Sequence, residues 1–463
     1  MKVLITGGGG NAGRSVIDCL RLKHTCVAID TNPYHLASSN AHDTESIVPV
    51  SHPDYLKRLN QIITKHSIDY IHPQPDVETL FISKHRDKIK AKTFLPQPDI
   101  IELTHNKLLA IEAFQQNNIP TPQSYFLSEG IDKFNQLKEI TEKVWVRAIR
   151  GAGSKAALPV LSYEQAKAWC DYWCSVKGMN EADFIMSEFL SGTEYAVQTL
   201  WHEGELMASQ ARERTEYFFG SIMPSGQSST PSIACTIHDN QVYQTAYQAI
   251  KAVDQKPHGI YCVDMKENSN GKPCVMEINC GRFFTTSNFF AALDVNMPLM
   301  ICDMLETGKP LSEDKRKIEA IKDCYWWVRG LDKAPTLLNE NKKPITSALY
   351  SGPIIRHKRI AIDYDGTLVD DLGNIENFDA QPKMGASEIT QKLKEKGYEL
   401  IIFTCRPEEH RAKLQERLAL HNIHYDELLL NIKPRVDMYI DDKGIAFTTW
   451  HDILNLITML ERS

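Results

Sequence analysis

The stretch GIYCVDMKENSNGKPCVMEINCGR, residues 259–282, contains two apolar runs that carry polar side chains within them. Asp264 lies in the first run, and Glu277 and Asn279 lie in the second. Both runs are predicted to be strands, and carboxylates buried in adjacent strands are costly unless a cation or partner neutralises them. Their oxygens are hard ligands of the type that holds magnesium, or manganese, against phosphates. Solvent-facing alternation is the other interpretation, and the Glu-Ile-Asn spacing is hard to reconcile with it.

Two segments upstream have the residue types of a nucleotide site. The first, KVWVRAIRGAGSK at residues 143–155, ends an apolar run in a cation and continues into a glycine-rich loop. Amides and cations in such a loop can wrap phosphates, although glycine-rich loops are also common as ordinary turns. The second, MSEFLSGTEY at residues 186–195, places Glu188 at a strand end and Glu194 after a turn. A carboxylate at such a strand end either accepts hydrogen bonds from a nucleoside or is a solvated edge charge.

The N-terminal segment MKVLITGGGGNAGR places Gly8, Gly10 and Gly13 in a G-x-G-x-x-G spacing between a predicted strand and a predicted helix. Asp30 closes the next predicted strand. Glycines in such a turn let backbone amides and a helix N-terminus approach a phosphate, which is how dinucleotides are bound. A tight turn without any cofactor uses the same residues. NAD binding and a purely structural turn are therefore both open hypotheses at this point.

Strand and helix patterns alternate around this turn. The predicted strands are Val3–Thr6, Thr25–Asp30, Tyr70–Pro73 and Thr93–Pro96. A helix is predicted to follow the first strand through Cys19, and another to open near Asp76. This alternation favours a doubly wound α/β domain over residues 1–100.

The remaining patterns divide the chain further. Residues 101–310 mix β-rich runs with helices, which is typical of an α+β domain. Residues 311–354 are rich in turn residues and predict a connector that packs on that domain. A fresh strand at Ile360–Asp363 then begins a second α/β domain over residues 355–463.

Length and composition limit the class of protein. At 463 residues the chain fits about three domains of ordinary size. Its 42% hydrophobic and 24% charged residues are close to globular averages, and no apolar run reaches the roughly 20 residues that span a bilayer. The N-terminus lacks the pattern of a signal peptide, so a cytoplasmic location and no membrane partner are expected. The net charge of −7 argues against general nucleic-acid binding.

The 11 cysteines are scattered and include no C-x-x-C pair. Neither a disulfide framework nor a zinc ribbon is therefore expected. Cys170 and Cys174 lie four residues apart on a predicted helix, and we expect them to be buried thiols rather than metal ligands.

The segment IAIDYDGTLVDD, residues 360–371, ends an apolar strand with Asp363 and Asp365. A nucleophilic aspartate and an acid/base aspartate on one metal ion fit this arrangement. Later strand ends supply a hydroxyl, an ammonium and two more carboxylates, in the order expected at the carboxyl edge of a parallel sheet. In chain order these are Thr404, Lys433, Asp441 and Asp442.

Residues 1 to about 310 resemble ATP-grasp proteins of the branch that includes the carbamoyl-phosphate synthetase large subunit. The resemblance implies a Rossmann-like preATP-grasp domain followed by an ATP-grasp domain, with ATP and magnesium (or manganese) bound. The family's Glu-x-Asn-Pro-Arg motif is matched by Glu277, Asn279 and Arg282, with Cys280-Gly281 before the arginine where the family usually has proline. Arg147 stands where the family usually has lysine, which preserves the charge but alters phosphate geometry.

This resemblance implies roles for individual positions. The implied ATP-binding residues are Lys107, Arg147, Arg150, Gly153, Ser154, Lys155, Glu188, Glu194, Arg212 and Arg214. The implied metal ligands are Asp264, Glu277 and Asn279. Arg282 is implied as a catalytic clamp for the γ-phosphate or the substrate carboxylate, a role that Arg212 and Arg214 also suit. The glycine turn, with Gly8, Gly10 and Asn11, is implied to contribute to the acceptor-substrate pocket rather than to hold NAD.

Residues 355–463 resemble the haloacid dehalogenase superfamily, whose first motif is Asp-x-Asp-Gly-Thr. The resemblance implies that Asp363 becomes phosphorylated, that Asp365 is the acid/base, and that Thr404 and Lys433 hold the phosphoryl group. Asp363, Asp365, Asp441 and Asp442 are the implied magnesium ligands. The spacing between the motifs leaves no room for a cap domain.

Together the two resemblances imply a bifunctional enzyme. Its first part would ligate a small-molecule carboxylate to an amine or thiol, and its last part would dephosphorylate a related phosphorylated small molecule. A kinase that releases its phosphorylated product is an alternative, as is a nucleotide-binding regulatory module with one inactive half. Relatives of the first part are often homodimers, so the resemblance is compatible with a homodimer here.

Overall fold

The buried run Val3, Leu4 and Ile5 forms the central strand of an N-terminal sheet. In the computed structural model, the elements of this region are β1 Lys2–Thr6, α1 Asn11–Leu20, β2 Thr25–Asp30, α2 Pro33–Leu36, β3 Asp43–Ser46, α3 Tyr55–His66, β4 Tyr70–His72 and α4 Asp76–Lys84. The four strands are parallel in the order β3-β2-β1-β4. This arrangement is the doubly wound sheet expected from the βα alternation.

The strand predicted at Thr93–Pro96 is wrong. That segment lies outside the sheet, and the neighbouring Lys92 makes an isolated bridge to Tyr70. Phe94 and Leu95 are buried there, so their hydrophobicity reflects packing rather than strand pairing. Pro96 has no N–H to donate to a ladder.

The middle of the first unit has two sheets. Its elements are α5 Pro98–His105, α6 Lys107–Gln116, β5 Ser124–Phe126, α7 Ile131–Lys138, β6 Val144–Ala148, β7 Leu158–Val160, α8 Tyr163–Lys177, β8 Phe184–Glu188, β9 Glu194–His202, β10 Glu205–Tyr217, β11 Pro231–Ile237, α9 Asn240–Val253, β12 Gly259–Glu267, β13 Pro273–Cys280, α10 Ser287–Ala291, α11 Met297–Thr307, β14 Lys317–Ile318, β15 Trp326–Val328 and β16 Thr336–Leu338. The small antiparallel sheet has the order β5-β8-β6-β7. The large sheet has the order β13-β12-β9-β10-β11-β15-β16, and β14 also pairs with β10.

The strands of the predicted connector extend the large sheet. β15 pairs with β11, and β16 continues outward from β15. Cys235 on β11 is joined to Cys324 by a disulfide. Cys170 is buried and its Sγ lies 3.8 Å from that of Cys174, which is partly exposed.

A second unit covers residues 353–463, whereas residues 1–352 form the first. Its elements are β17 Arg359–Asp363, α12 Ala386–Glu395, β18 Glu399–Thr404, α13 Arg411–Leu420, β19 Glu427–Leu430 and β20 Met438–Ile440. Its four strands are parallel, in the order β19-β18-β17-β20. The structure describes residues 1–151, 156–228, 230–330, 335–344, 359–395, 398–434 and 438–441. None of the helices described there is both long and apolar enough to cross a membrane.

His72 at the end of β4 makes the stability of the first unit depend on pH. Its ring is 1% exposed, with Nδ1 3.2 Å from the Tyr70 hydroxyl and Nε2 3.0 Å from Gln74 Oε1. Burial lowers its pKa from 6.5 to about 4, against a smaller opposing effect of the Gln74 hydrogen bond. His72 therefore becomes protonated below about pH 6.5 in the unfolded chain, but only near pH 4 in the folded chain.

We expect the unit to lose about 2 kcal/mol of stability between pH 7 and pH 5 through His72 alone. The His72→Gln variant should lose much less over that interval, because glutamine does not titrate. Thermal unfolding midpoints at the two pH values measure the difference. His52→Gln, which changes an exposed histidine, is the control, and an equal pH response in wild type and His72→Gln would contradict the prediction.

Candidate functional site

A cleft between the two sheets of the first unit collects most of the polar residues predicted for nucleotide binding. β6 and β8 of the small sheet contribute one wall, and β9, β10, β12 and β13 of the large sheet contribute the other. The charged residues that line it are Lys107, Arg147, Glu188, Glu194, Arg212, Arg214, Asp264, Lys266, Glu277 and Arg282.

Lys107 reaches the cleft from the first turn of α6. The Asn106 side chain caps this helix by accepting hydrogen bonds from two backbone N–H groups, at 3.2 and 3.3 Å. The Lys107 ammonium donates to the carbonyl of Gly151 at 2.8 Å. Arg150, the other predicted cation of this region, is exposed. Outside the described residues lie the predicted loop positions Gly153, Ser154 and Lys155.

Glu277 is held by cations from both sides of the cleft. Its Oε2 is 3.3 Å from the Lys107 ammonium and 3.5 Å from the Arg147 guanidinium. Burial by itself would raise the pKa of Glu277, but these two cations outweigh burial and hold the pKa below its usual range. Glu277 is therefore a carboxylate, and Lys107 and Arg147 are fixed side by side at its edge.

Asp264 faces Glu277 across adjacent antiparallel strands, where the two residues are register partners. The Asn279 amide donates to Asp264 Oδ2 at 3.1 Å and to Glu277 Oε1 at 3.4 Å, so both acids share one donor. Burial raises the pKa of Asp264; the Arg214 guanidinium opposes this effect, while the Glu277 and Glu194 carboxylates add to it. A cation bound beside this buried carboxyl would stabilise its ionised form.

Arg282 follows β13 and points back toward the N-terminal sheet. Its Nε donates to Asp76 Oδ1, and its Nη2 donates to Asn279 Oδ1 at 2.6 Å. Asp76, the first residue of α4, carried no motif in the sequence. Asp264 and Glu277, the two acids predicted to bind metal, are thus linked through Asn279 and Arg282 to the N-terminal sheet region.

Glu194 and Arg214 are occupied by protein partners. Arg214 donates to Glu194 at 3.2 Å and to Asp264 at 2.5 Å. Glu194 also accepts from the Tyr217 hydroxyl and, at 2.8 Å, from the Gln227 amide. Both side chains lie in the cleft as predicted, but their hydrogen bonds are made to other residues of the cleft wall.

Arg212 differs from the other cations of the cleft. It is fully buried, and its Nε and Nη1 have no hydrogen-bond partner within the part of the chain that the structure describes. Its guanidinium lies 4.8 Å from the ring centre of Phe284 and 5.8 Å from that of Phe290. Burial, with the neighbouring Arg214 charge, lowers the pKa of Arg212 to about 9. A buried guanidinium with two nitrogens that lack a hydrogen-bond partner in the described part of the chain favours an anionic ligand at this point.

The end of the cleft near Glu188 is apolar. The side chains there are Pro122, Trp145, Phe189, Leu190 and Met276. The Lys266 ammonium lies 5.7 Å from the Phe189 ring centre, and Glu188 Oε2 is 3.5 Å from a backbone N–H. An apolar slot with one carboxylate beside it has the chemistry of an aromatic-base site.

The N-terminal glycine turn is tightly packed against its own domain. A Cβ at Gly8 would lie 2.5 Å from that of Ala28, so packing by itself requires glycine there. Gly10 caps α1, and the Asn11 side chain accepts from Arg14 at 2.5 Å. These three predicted substrate residues are not among those lining the cleft.

In the second unit, the predicted acids lie at one edge of the parallel sheet. Ile362 pairs with Ile440, so Asp363 and Asp441 follow on adjacent strand ends. Asp363 pairs with Phe403, which precedes Thr404. The Thr404 hydroxyl donates to Asp365 Oδ2 at 3.1 Å. Lys433 lies with its ammonium 4.7 Å from the Tyr439 ring centre, and Asp442 is outside the described residues.

Sequence reasoning missed Arg406, which organises this edge. It is 2% exposed and donates to both oxygens of Asp365, from Nη2 at 2.7 Å and from Nε at 3.0 Å. It also donates to the Ile375 and Asn377 carbonyls. The signal available was its position two residues after Thr404, at the end of a buried strand.

The donor set of the cleft fits a magnesium ion that is held largely by phosphates. No group of three or more His, Cys, Asp or Glu side chains suited to a metal occurs among the residues in the described ranges. Asp264 and Glu277 supply two carboxylates, and magnesium is commonly bound by one or two carboxylates together with substrate phosphates and water. The two acids and the raised pKa of Asp264 are compatible with that mode.

The central segment has a recognisable relationship to known proteins. Residues 104–286 match the family model of the ATP-grasp domain. All the residues that line the cleft lie within this region, and the predicted mixed α/β fold is confirmed. No curated protein matches the sequence.

Solved structures share the fold at low sequence identity. Biotin carboxylase from Campylobacter jejuni, as its βγ-ATP complex, is 14% identical with a TM-score of 0.54, over 71% of this chain and 75% of that one. An L-amino acid ligase from Bacillus licheniformis is 12% identical with a TM-score of 0.52, over 71% and 79%. The biotin carboxylase domain dimer of Hydrogenobacter thermophilus 2-oxoglutarate carboxylase, complexed with MgADP, ADP and bicarbonate, is 15% identical with a TM-score of 0.50, over 71% and 74%.

Proposed function

We propose that the first unit is an ATP-dependent ligase of the carbamoyl-phosphate-synthetase-like branch, which joins a small-molecule carboxylate to an amine or a thiol. One observation carries the proposal: Glu277 contacts two cations of the phosphate-binding type, Lys107 and Arg147, and Asp264 lies opposite Glu277 in the same cleft. The ATP and MgADP complexes named for the structural neighbours support a nucleotide as the ligand.

In this proposal the apolar slot around Trp145 and Phe189 takes the adenine, with Glu188 at its polar edge. Lys107 and Arg147 then bind phosphate oxygens, exchanging part of their contact with Glu277. Magnesium, when bound by Asp264 and Glu277, would neutralise the phosphate charge that develops during transfer. The Asn279 amide donates hydrogen bonds to both acids, and Arg282 in turn donates to Asn279.

The proposed reaction has two steps. A carboxylate oxygen of the substrate forms a bond to the γ-phosphorus of ATP, the bond to the β–γ bridging oxygen breaks, and ADP leaves. The nitrogen or sulfur nucleophile then bonds to the acyl carbon of the acylphosphate, loses its proton, and inorganic phosphate departs. The charge on the transferring group calls for cations in fixed positions more than for a proton acceptor.

Arg212 is the residue that we assign to the substrate carboxylate. We expect Arg212→Met to lower kcat/KM for the carboxylate about 100-fold, mainly through KM, because a charge-assisted hydrogen bond is lost. Nucleotide affinity should stay within about twofold of wild type. Since an uncompensated buried charge is removed, the thermal midpoint should be unchanged or higher.

Arg214→Met is the matched control for Arg212→Met. It removes the partner of two buried carboxylates, so it should lower the thermal midpoint. Steady-state kinetics with varied carboxylate, together with thermal unfolding, distinguish the two variants. An Arg212→Met enzyme with an unchanged KM for the carboxylate contradicts the assignment.

A library of carboxylates and amines, supplied with ATP and magnesium, tests the ligase proposal. The expected result is ADP release that requires both a carboxylate and a nucleophile. A stable phosphorylated product without coupling would instead identify a kinase. Nucleotide binding without turnover of any pair would favour a regulatory module.

For the second unit we propose a haloacid-dehalogenase-like, magnesium-dependent phosphatase that acts on a related phosphorylated small molecule. The adjacent strand ends that carry Asp363, Thr404 and Asp441 support this proposal. An Asp363 carboxylate oxygen bonds to the phosphorus, the ester P–O bond breaks, and the ester oxygen leaves with a proton from Asp365. A water oxygen then bonds to the phosphorus and gives its proton to Asp365, and the bond to Asp363 breaks to release phosphate. The two proposed activities make the chain a bifunctional enzyme, and the dimer named for one neighbour supports testing for a homodimer.

A further inference from the structure

Asp76 belongs to the N-terminal sheet region but contacts Arg282, which lies close in sequence to Glu277 and Asn279. Its two carboxylate oxygens face Arg282, Oδ1 receiving Nε and Oδ2 lying 3.5 Å from Nη2. Asp76 and Arg282 are 206 residues apart in the chain. His105 also faces the pair, with Nε2 4.0 Å from Asp76 Oδ1. The carboxylate thus fixes the direction in which the guanidinium points.

The direction of Arg282 determines how the Asn279 amide is turned. Arg282 Nη2 donates to Asn279 Oδ1 at 2.6 Å, so the amide NH₂ group faces Asp264 and Glu277. Without the guanidinium, the amide oxygen of Asn279 would lose this donor, and the amide would be held only through its NH₂ contacts with the two carboxylates. A turned amide would place three oxygens together and change the geometry offered to a cation.

The backbone around Arg282 is anchored independently of Asp76. Gln74 donates to the Phe283 carbonyl at 2.7 Å and accepts from the Phe283 N–H at 3.4 Å. Gly281 has φ +77°, and a Cβ there would lie 2.5 Å from the Thr79 side chain. Loss of the Asp76 carboxylate therefore leaves this segment in place and acts on the side chain of Arg282.

We propose that Asp76 is a positioning residue that sets the magnesium requirement of nucleotide binding through Arg282 and Asn279. The inference rests on the proposed function of the cleft, since it presumes that a magnesium–nucleotide complex binds there. It assigns to the N-terminal region a role in the metal site, in addition to any role in holding substrate.

The test is calorimetric binding of a non-hydrolysable ATP analogue to the full chain at increasing magnesium concentration. Asp76→Asn is expected to need about tenfold more magnesium for half-maximal affinity, as is usual when a residue behind a metal ligand is changed. Glu102→Gln, which breaks an exposed ion pair with Lys84, should leave the requirement unchanged. An Asp76→Asn protein with the wild-type requirement overturns the proposal.

A double-mutant cycle separates positioning from a general structural effect. If Asp76 acts through Asn279, then Asp76→Asn adds little to the magnesium shift of Asn279→Ala. Fully additive shifts overturn the proposal. Should Asp76→Asn fail to fold, Asp76→Ser removes the same carboxylate while leaving a residue suited to a helix start, and the same outcomes apply. If wild type binds no analogue even with magnesium, the proposed function itself fails.

Discussion

Replacing Glu277 by glutamine is expected to abolish the magnesium-dependent part of nucleotide binding and to reduce ATP-dependent turnover by a factor on the order of 10² or more. Glu277 contacts Lys107 and Arg147 and also shares the Asn279 amide with Asp264. Without its charge, the two cations face the nucleotide unopposed. Affinity for the metal-free nucleotide should therefore be maintained or increased, while its increase on adding magnesium disappears.

Calorimetric titrations of ATP analogue with and without magnesium check this pattern. Loss of a partner from two buried cations costs about 3 kcal/mol, so the thermal midpoint is measured in parallel. Glu277→Asp keeps the charge and should keep part of the magnesium dependence. Glu213→Gln, a change on β10 of the same sheet but outside the cleft lining, is the matched control. A full magnesium effect in Glu277→Gln would show that the metal is held elsewhere.

The order of motifs along the chain was sufficient to predict the cleft's central residues. Arg147, Asp264 and Glu277 lie within strands, where an alternating pattern makes an interrupting charge conspicuous. The pairing of Asp264 with Glu277 across β12 and β13 follows from the short spacing between the two apolar runs of residues 259–282. The same logic placed Asp363 and Asp365 at a strand end.

What the sequence could not show is which charges neutralise one another. Glu194 and Arg214 were both predicted to contact ATP, yet they bind each other. Arg212, two residues away from Arg214 on the same strand, is the arginine with nitrogens that lack a hydrogen-bond partner among the described residues. Asp76 and Arg282 are brought together by the fold across 206 residues. Contacts at such separations depend on how sheets stack, which local patterns do not encode.

Arg406 illustrates a second reason for incomplete prediction. Buried arginines are uncommon unless paired, so a strand-end arginine in FTCR does not by itself indicate a buried position. In the structure its Nε and Nη2 donate to Asp365, and it also donates to carbonyls of the loop after β17. The predicted acid/base therefore has an orienting partner that no motif had supplied.

Asp363→Asn is expected to remove hydrolysis of a generic phosphate ester almost entirely, by a factor on the order of 10³ or more, because an amide is not a nucleophile toward phosphorus. Asp363 ends β17, which lies between β18 and β20. Thr404 and Asp441 stand at the ends of those two strands, so a phosphoryl group on Asp363 would lie near the Thr404 hydroxyl and the Asp441 carboxylate. The fold should be unchanged. Asp370→Asn, which alters an exposed ion pair with Lys383, is the control.

Two measurements check the assignment of Asp363. Turnover of para-nitrophenyl phosphate with magnesium should be lost in Asp363→Asn and kept in Asp370→Asn. Acid-stable labelling of the protein by phosphate should occur in wild type and in Asp370→Asn but not in Asp363→Asn. Equal turnover in the Asp363→Asn variant would refute the nucleophile. The variant also isolates the first unit, since any substrate-dependent ADP release that persists in it must come from the cleft that contains Glu277, whereas phosphate release that vanishes belongs to the second unit.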